Sequence, residues 1–275
     1  MTCAKNPYSY VEAEILDVVS ETSNIKTFTL KPRQPMTFRA GQFMEVTVPG
    51  VGEAPFTPSS NHAKLEKFDF TIMSAGRVTK LLHKMEKGGI VGMRGPYGTA
   101  YPLDAFKGKE ILIVGGGVGL APLRALLYAL FNDAKDYKRI IVKYGARTPA
   151  DIVYKNEVDT WTKHGNHVEV QVTTDVGAPD WTGHVGLVTT VLKDLNLNMA
   201  NAVSVVCGPP IMMKFATFKL MDLGFKPEQV YLSMEKNMSC GLGKCGHCRI
   251  GPYYACKDGP VFSYDKIKDL PNIWD

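Results

Sequence analysis

Ile111-Leu112-Ile113-Val114-Gly115-Gly116-Gly117-Val118-Gly119-Leu120-Ala121-Pro122 is the stretch that decides the fold. A short continuous apolar run, a glycine-rich turn and a periodic apolar stretch to residue 131 read as strand, turn and helix. The run 111–131 approaches membrane-spanning length, but three consecutive glycines, Pro122 and Arg124 interrupt it, which favours strand–turn–helix over a span. A glycine-rich turn opening a helix can cradle a pyrophosphate on backbone N–H groups. Gly115, Gly116, Gly117, Val118, Gly119 and Pro122 are therefore candidates for nucleotide binding. The pattern ends G-x-G-x-x-P and departs from G-x-G-x-x-G, because position 120 is Leu and position 122 is Pro. The competing reading is a turn that needs glycine for packing alone. Its place after the first strand of an α/β unit favours the nucleotide.

Toward the C-terminus the alternation continues. Strands are expected at 140–144, 168–172, 203–207 and 230–232, with helices near 153–162, 185–192 and 210–223. Near-continuous apolar strands between helices imply a parallel sheet covered on both faces. Arg147 follows the second strand, where an adenosine ribose would lie. No acidic residue at that point accepts a 2′-OH, while Arg147 suits a 2′-phosphate, a solvated charge or an aromatic stack. Cys207-Gly208-Pro209 ends another strand. Gly208 and Pro209 line the same crevice, and Cys207 is either an inert small hydrophobe or a wall beside a nicotinamide, the one candidate catalytic position.

Toward the N-terminus the pattern changes to short β runs at 11–16, 25–30, 43–48 and 68–73, with one helical signal at 78–85. Several strands and one helix suggest a small antiparallel barrel. Three spots in it suit a flavin. Pro55, Phe56, Thr57, Ser59 and Ser60 offer an apolar wall with hydroxyls; the alternative is a Pro/Ser surface loop. Gly76, Arg77, Val78 and Thr79 stand where the helix begins, a place for phosphate or for simple capping. The third is Arg94-Gly95-Pro96-Tyr97-Gly98-Thr99, a sharply turning strand end that contributes Gly95, Gly98 and Thr99.

Four of the six cysteines form C-x4-C-x2-C-x7-C: Cys240, Cys245, Cys248 and Cys256. Four thiolates at that spacing suit a plant-type [2Fe–2S] cluster, with Gly241, Gly243 and Gly246 letting backbone N–H groups approach sulfide. Lys244, Arg249 and Lys257 supply compensating charge. A structural zinc site is the alternative, but zinc ribbons separate two short cysteine knuckles, and here three cysteines crowd into nine residues. Four cysteines already complete the set, so His247 is not expected as a ligand.

The chain has 275 residues, 45% hydrophobic and 21% charged, with net charge +5 and no long basic run. That argues against nucleic acid and for anionic cofactors or an acidic partner. The cysteine usage fits a reducing compartment, and the N-terminal residues lack the apolar core of a signal peptide. The expected location is cytoplasmic, without a membrane span. The expected domains are a flavin-binding barrel at 1–105, a nucleotide-binding α/β domain at 106–234 and an iron–sulfur segment at 235–275.

Taken in order, the barrel, G-G-G-V-G-L-A-P, C-G-P-P and C-G-x-G-K-C-G-H-C…C-K-D-G-P-V-F resemble the ferredoxin–NADP reductase superfamily over nearly the whole chain. The nearest branch holds the electron-transfer subunit of dihydroorotate dehydrogenase, gamma subunits of hydrogenase/sulfhydrogenase, and the B-type subunit of anaerobic sulfite reductase. The resemblance implies FAD in the barrel, its ring edge against 55–60 and its phosphates near 76–79. Many members carry an arginine where this chain has Ala54, so Arg77 or another arginine must balance the phosphates, and FMN stays open beside FAD. The implied activity is diaphorase-like: NAD(P)H gives electrons to FAD, then to the [2Fe–2S] cluster, then to a partner. The partner would be other redox subunits carrying further iron–sulfur clusters and the terminal catalytic site, first of a hydrogenase type, then of anaerobic sulfite reductase. A stand-alone NAD(P)H–ferredoxin reductase and a zinc-binding interaction module are the competing readings.

Overall fold

The computed structural model describes residues 6–193 and 195–274. The signal-peptide reading rests partly on residues 1–5, which lie outside them.

The first half folds as strands, with clear alternation of buried and exposed side chains in 11–15 and near-continuous burial in 43–48. β1 (Val11–Ser20), β2 (Ile25–Pro32), β3 (Phe43–Val48), β4 (Gly52–Phe56) and β5 (Phe68–Met73) precede the short helix α1 (Arg77–Leu82), and β6 (Ile90–Tyr97) follows it. All pair antiparallel in the order β4-β3-β6-β1-β2-β5. Ile15, Phe28, Phe68, Phe70 and Met93 fill the core of this barrel-like sheet, and α2 (Leu103–Phe106) leads out of it.

The deciding stretch forms β7 (Glu110–Gly116) and, after one 3-10 turn, α3 (Leu120–Asn132). Every residue of β7 is buried, as a strand covered on both faces requires. β8 (Arg139–Ala146), β9 (Val168–Thr174), β10 (His184–Val185), β11 (Ala202–Cys207), α4 (Pro210–Asp222) and β12 (Val230–Ser233) complete the unit. The sheet runs β10-β9-β8-β7-β11-β12 in parallel, so the strand order reverses between β7 and β11. Ligands of open α/β sheets bind at that reversal, beyond the carboxyl ends of the strands.

Two expected helices are corrected. Tyr154 stands at φ 58°, which breaks a helix there, and only 3-10 turns at Val158–His164 follow. In 185–192 the first residue belongs to β10, Gly186 turns at φ 146°, and the rest is 3-10 at Val188–Leu192.

The C-terminal residues are not a free appendage. A hairpin of β13 (Arg249–Ile250) and β14 (Tyr253–Tyr254) precedes β15 (Val261–Ser263) and the short helix α5 (Tyr264–Ile267). β15 pairs antiparallel with β12 and becomes the seventh strand of the nucleotide-domain sheet. Among the described residues no helix is long and apolar enough to cross a membrane.

Candidate functional site

The β7 turn and the β11 end meet at the reversal. A Cβ on Gly119 would stand 2.6 Å from the Cys207 carbonyl oxygen, and one on Gly116 would stand 2.9 Å from Met212 Cε. Gly115 is likewise closed in by Leu123. Gly117 differs: it sits at φ 52° with nothing within 4 Å of its Cβ direction. Three of the four glycines therefore serve close packing, and one leaves the turn open to a ligand. Val118 and Pro122 are half-buried beside it. Cys207 is 7% exposed. Burial pushes its thiol up to about 12, against a hydrogen bond with Ser233. A neutral thiol is a poor nucleophile, which suits Cys207 to a packing role. Gly208 is half-buried and Pro209 exposed beside it.

Arg147 is exposed at the end of β8. Sequence reasoning missed its neighbour Asp175, whose N–H donates to Ala146 O at 2.9 Å. Burial raises the Asp175 carboxyl and the Arg147 charge lowers it. An acid thus stands near the end of β8, contributed by the residue after β9, 28 residues beyond Arg147, where no local motif reveals it.

In the barrel, Pro55 and Phe56 end β4, and Thr57 is half-buried. Ser59 is fully buried, donates to Asp69 O at 3.2 Å and lies 3.0 Å from Thr71 Oγ1. Its hydroxyl is taken up by the barrel. Ser60 fits a ligand better, since its Oγ is buried and has no partner among the described residues. Thr79 Oγ1 accepts from Ala75 N and Gly76 N, capping α1 from within. Arg77 and Gly76 are exposed and Val78 is half-buried. Arg94 and Arg124 are engaged in ion pairs, whereas Arg77 stands exposed at the start of α1.

The third spot also meets the C-terminal segment. Thr99 N donates to Gly259 O at 2.5 Å and Thr99 Oγ1 to Val261 O at 3.1 Å. A Cβ on Gly98 would strike Pro260 at 2.7 Å, and one on Gly95 would stand 3.2 Å from Phe43 O. This strand end faces the C-terminal segment. Two surface hollows, about 690 Å³ beside Lys31 and Leu65 and about 460 Å³ beside Lys143 and Glu169, include none of the candidate residues.

The four thiols fit a two-iron cluster. Cys248 Sγ lies 3.2 Å from Cys256 Sγ, and Cys240 contacts the Cys245 side chain. Two pairs match two thiolates per iron. Among the described residues no three His, Cys, Asp or Glu side chains gather as one ion would need. Leu242 N and Lys244 N donate to Cys240 Sγ at 3.3 and 3.4 Å, and Gly243 N donates to Cys256 Sγ at 3.0 Å. Burial pushes Cys240 up, but these donors outweigh it and bring the thiol down to about 6. Burial and the neighbouring Cys248 push Cys256 up to about 12, a proton that iron binding would displace. Cys240, Cys248 and Cys256 are buried and Cys245 is exposed, so one edge faces outward. His247 Nδ1 pairs instead with Ser239 Oγ at 2.7 Å.

Three stretches of the chain match known domain families. Residues 13–101 match the oxidoreductase FAD-binding domain, 113–217 the oxidoreductase NAD-binding domain, and 235–268 the iron–sulfur cluster binding domain of dihydroorotate dehydrogenase B. Sulfhydrogenase 2 subunit gamma of Pyrococcus furiosus is 36% identical over 94% of this chain and 96% of its own. A probable dihydroorotate dehydrogenase B (NAD(+)) electron transfer subunit of the same organism is 35% identical over 87% and 85%. Among solved structures, a chain of an NADH-dependent reduced ferredoxin-NADP oxidoreductase has the same fold, with TM-score 0.71 at 24% identity over 98% of this chain and 93% of that one. The chain therefore belongs to the family of flavin- and iron–sulfur-dependent NAD(P)H oxidoreductase subunits that includes the sulfhydrogenase gamma subunits and the dihydroorotate dehydrogenase B electron transfer subunits.

Proposed function

We propose that this chain is the diaphorase-type subunit of a cytoplasmic hydrogenase/sulfhydrogenase-type complex, moving electrons between NAD(P)H and a partner's iron–sulfur clusters. FAD and the [2Fe–2S] centre together supply the exchange between electron pairs and single electrons. The observation that carries the reading is the pairing of four thiols beside a flavin barrel and a nucleotide sheet, with one thiol, Cys245, turned outward.

The chain's own residues bind and orient. The open turn at Gly117, with Gly115, Gly116, Val118, Gly119 and Pro122, receives the coenzyme pyrophosphate. Cys207, Gly208 and Pro209 wall the nicotinamide. Arg147 and Asp175 meet the adenosine ribose. Pro55, Phe56, Thr57 and Ser60 face the flavin, Ser59 stiffens that stretch from behind, and Gly76, Arg77, Val78 and Thr79 hold its phosphates. Gly95, Gly98 and Thr99 support the C-terminal segment. Cys240, Cys245, Cys248 and Cys256 hold the cluster. The domain boundaries that follow are 1–105, 106–234 and 235–275, with β15 shared between the last two.

Purification of the native protein tests the assignment. A complex that reduces NAD(P)+ with hydrogen, and contains nickel, is the expected result. Siroheme in the partner points to anaerobic sulfite reductase, and a monomer reducing soluble ferredoxin points to a stand-alone reductase; either result rejects the hydrogenase assignment.

A further inference from the structure

The strand end Arg94-Gly95-Pro96-Tyr97-Gly98-Thr99 grips the C-terminal segment at both ends of its cysteines. At the first of them, Arg94 NH1 donates to the carbonyl of Cys240 at 2.9 Å. After them, Thr99 bonds Gly259 and Val261 through its N–H and its hydroxyl. Between these anchors Gly241, at φ 69°, rests on the same surface. A Cβ there would stand 3.1 Å from Glu45 Oε1, 3.3 Å from Tyr97 Cδ2 and 3.4 Å from Arg94 NH1.

Arg94 is 3% exposed. A buried guanidinium needs a carboxylate and filled donors, and Arg94 has both. Nε donates to Glu53 Oε2 at 2.9 Å and NH2 pairs with Glu53 Oε1. NH1 reaches Tyr97 Oη at 3.1 Å as well as Cys240 O, while the Tyr8 and Tyr97 rings lie 5.6 and 5.3 Å from the guanidinium carbon. Glu45 is fully buried, 3.8 Å from Arg94 NH2, with no hydrogen bond at either oxygen. Glu53 lies on β4, two residues before Pro55. One guanidinium thus ties the strand that leads into the flavin stretch to the residue that opens the cluster loop.

We propose that this strand end is the seat of the cluster loop and that Arg94 is its positioning residue, fixing the loop at the flavin barrel. The inference rests on the proposed electron route. The step concerned is passage of one electron from reduced flavin to oxidised cluster, with no bond made or broken in the seat. Lysine cannot replace Arg94, because a point-like ammonium cannot span Glu53 and Cys240 as the planar fork does.

The test uses the loaded protein with Arg94→Lys and Tyr97→Phe. Anaerobic rapid mixing with NAD(P)H follows flavin bleaching and cluster bleaching separately, and hydrogen exchange follows the amides of 241–245. Flavin reduction should stay within about twofold of wild type in both variants, while cluster reduction slows about tenfold in Arg94→Lys and about threefold in Tyr97→Phe, as expected for losing one or part of one charge-assisted hydrogen bond. The loop amides should exchange faster and β1 and β2 should not. Wild-type cluster reduction and loop protection in the variants would overturn the proposal. If Arg94→Lys does not retain flavin, Tyr97→Phe decides by the same two readouts. If wild-type cluster is not reduced by NAD(P)H, the electron route fails, and loop exchange still decides the seat.

Discussion

Cys245 is the exposed member of the four-thiol set, and it pairs with Cys240, whose sulfur accepts several backbone N–H groups. Serine at 245 keeps the size but offers iron a poorer donor than thiolate. Cys245→Ser should disturb or remove the cluster, leave flavin bound and leave NAD(P)H-to-flavin reduction intact. Anaerobic rapid mixing with a one-electron acceptor protein should show acceptor reduction slowed more than about tenfold, a barrier rise above about 1.4 kcal/mol. Acceptor reduction at the wild-type rate would remove the cluster from the route. Arg147 and Asp175 stand just beyond the ends of β8 and β9, where on our proposal they meet the adenosine ribose. Arg147→Ala should weaken NADPH more than NADH, and Asp175→Asn should do the reverse, read as the ratio of kcat/KM values. Equal changes for both coenzymes would mean that neither side chain meets the 2′ position.

The β7 turn and its helix show how an element is tuned by single atoms. Gly119→Ala places a methyl 2.6 Å from the Cys207 carbonyl, a backbone group that cannot step aside. The turn and the β11 end should part, so NAD(P)H affinity should fall at least about tenfold, or roughly 1.4 kcal/mol, while flavin content stays full. Isothermal titration with the oxidised coenzyme measures this, and unchanged affinity would show that the crevice tolerates opening. This element was legible because glycine and apolar runs are local signals, as were β3 and β5 at 43–48 and 68–73. The helices expected at 153–162 and 185–192 were not, because Tyr154 and Gly186 at positive φ interrupt patterns that look periodic. The glycines of the strand end at 94–99 are visible in sequence. Its partners Cys240, Gly259 and Val261 lie about 140 to 165 residues away and are not. Asp175 and Glu157 escaped for the same reason: each meets its partner through a fold that local pattern does not encode.

Three joints hold the parts of the molecule in fixed relation. β15 pairs with β12, the 94–99 strand end seats the cluster loop, and a polar lock joins barrel to nucleotide domain. In that lock Arg124 of α3 pairs with Glu157 and Asp69 and donates to Ser59 O at 3.3 Å, while its guanidinium lies 4.5 Å over the Tyr154 ring. Tyr154 Oη donates to Thr71 Oγ1 at 2.5 Å, and its N–H donates to Glu21 at 3.0 Å. Burial raises the Tyr154 phenol to about 12, with Arg124, Ser59 and Thr71 pulling the other way. In the unfolded chain the phenol ionises near its ordinary value of about 10, whereas in the folded protein it stays protonated to about 12. The contribution is complete below pH 10 and is lost as pH rises through that window, at up to about 1.4 kcal/mol per pH unit. Tyr154→Phe removes one hydrogen bond, and Thr71 keeps Thr27 and Ser59 as partners. The variant should therefore be less stable by only about 1 kcal/mol at pH 7. Other buried tyrosines titrate alike in both proteins, so the difference between them isolates residue 154. In urea denaturation of the loaded protein, that deficit should hold from pH 7 to 10 and then shrink, with the two curves crossing near pH 11. A deficit that stays constant to pH 11 would mean that the phenol ionises in the folded state as readily as in the unfolded one, and that the lock is not closed to water.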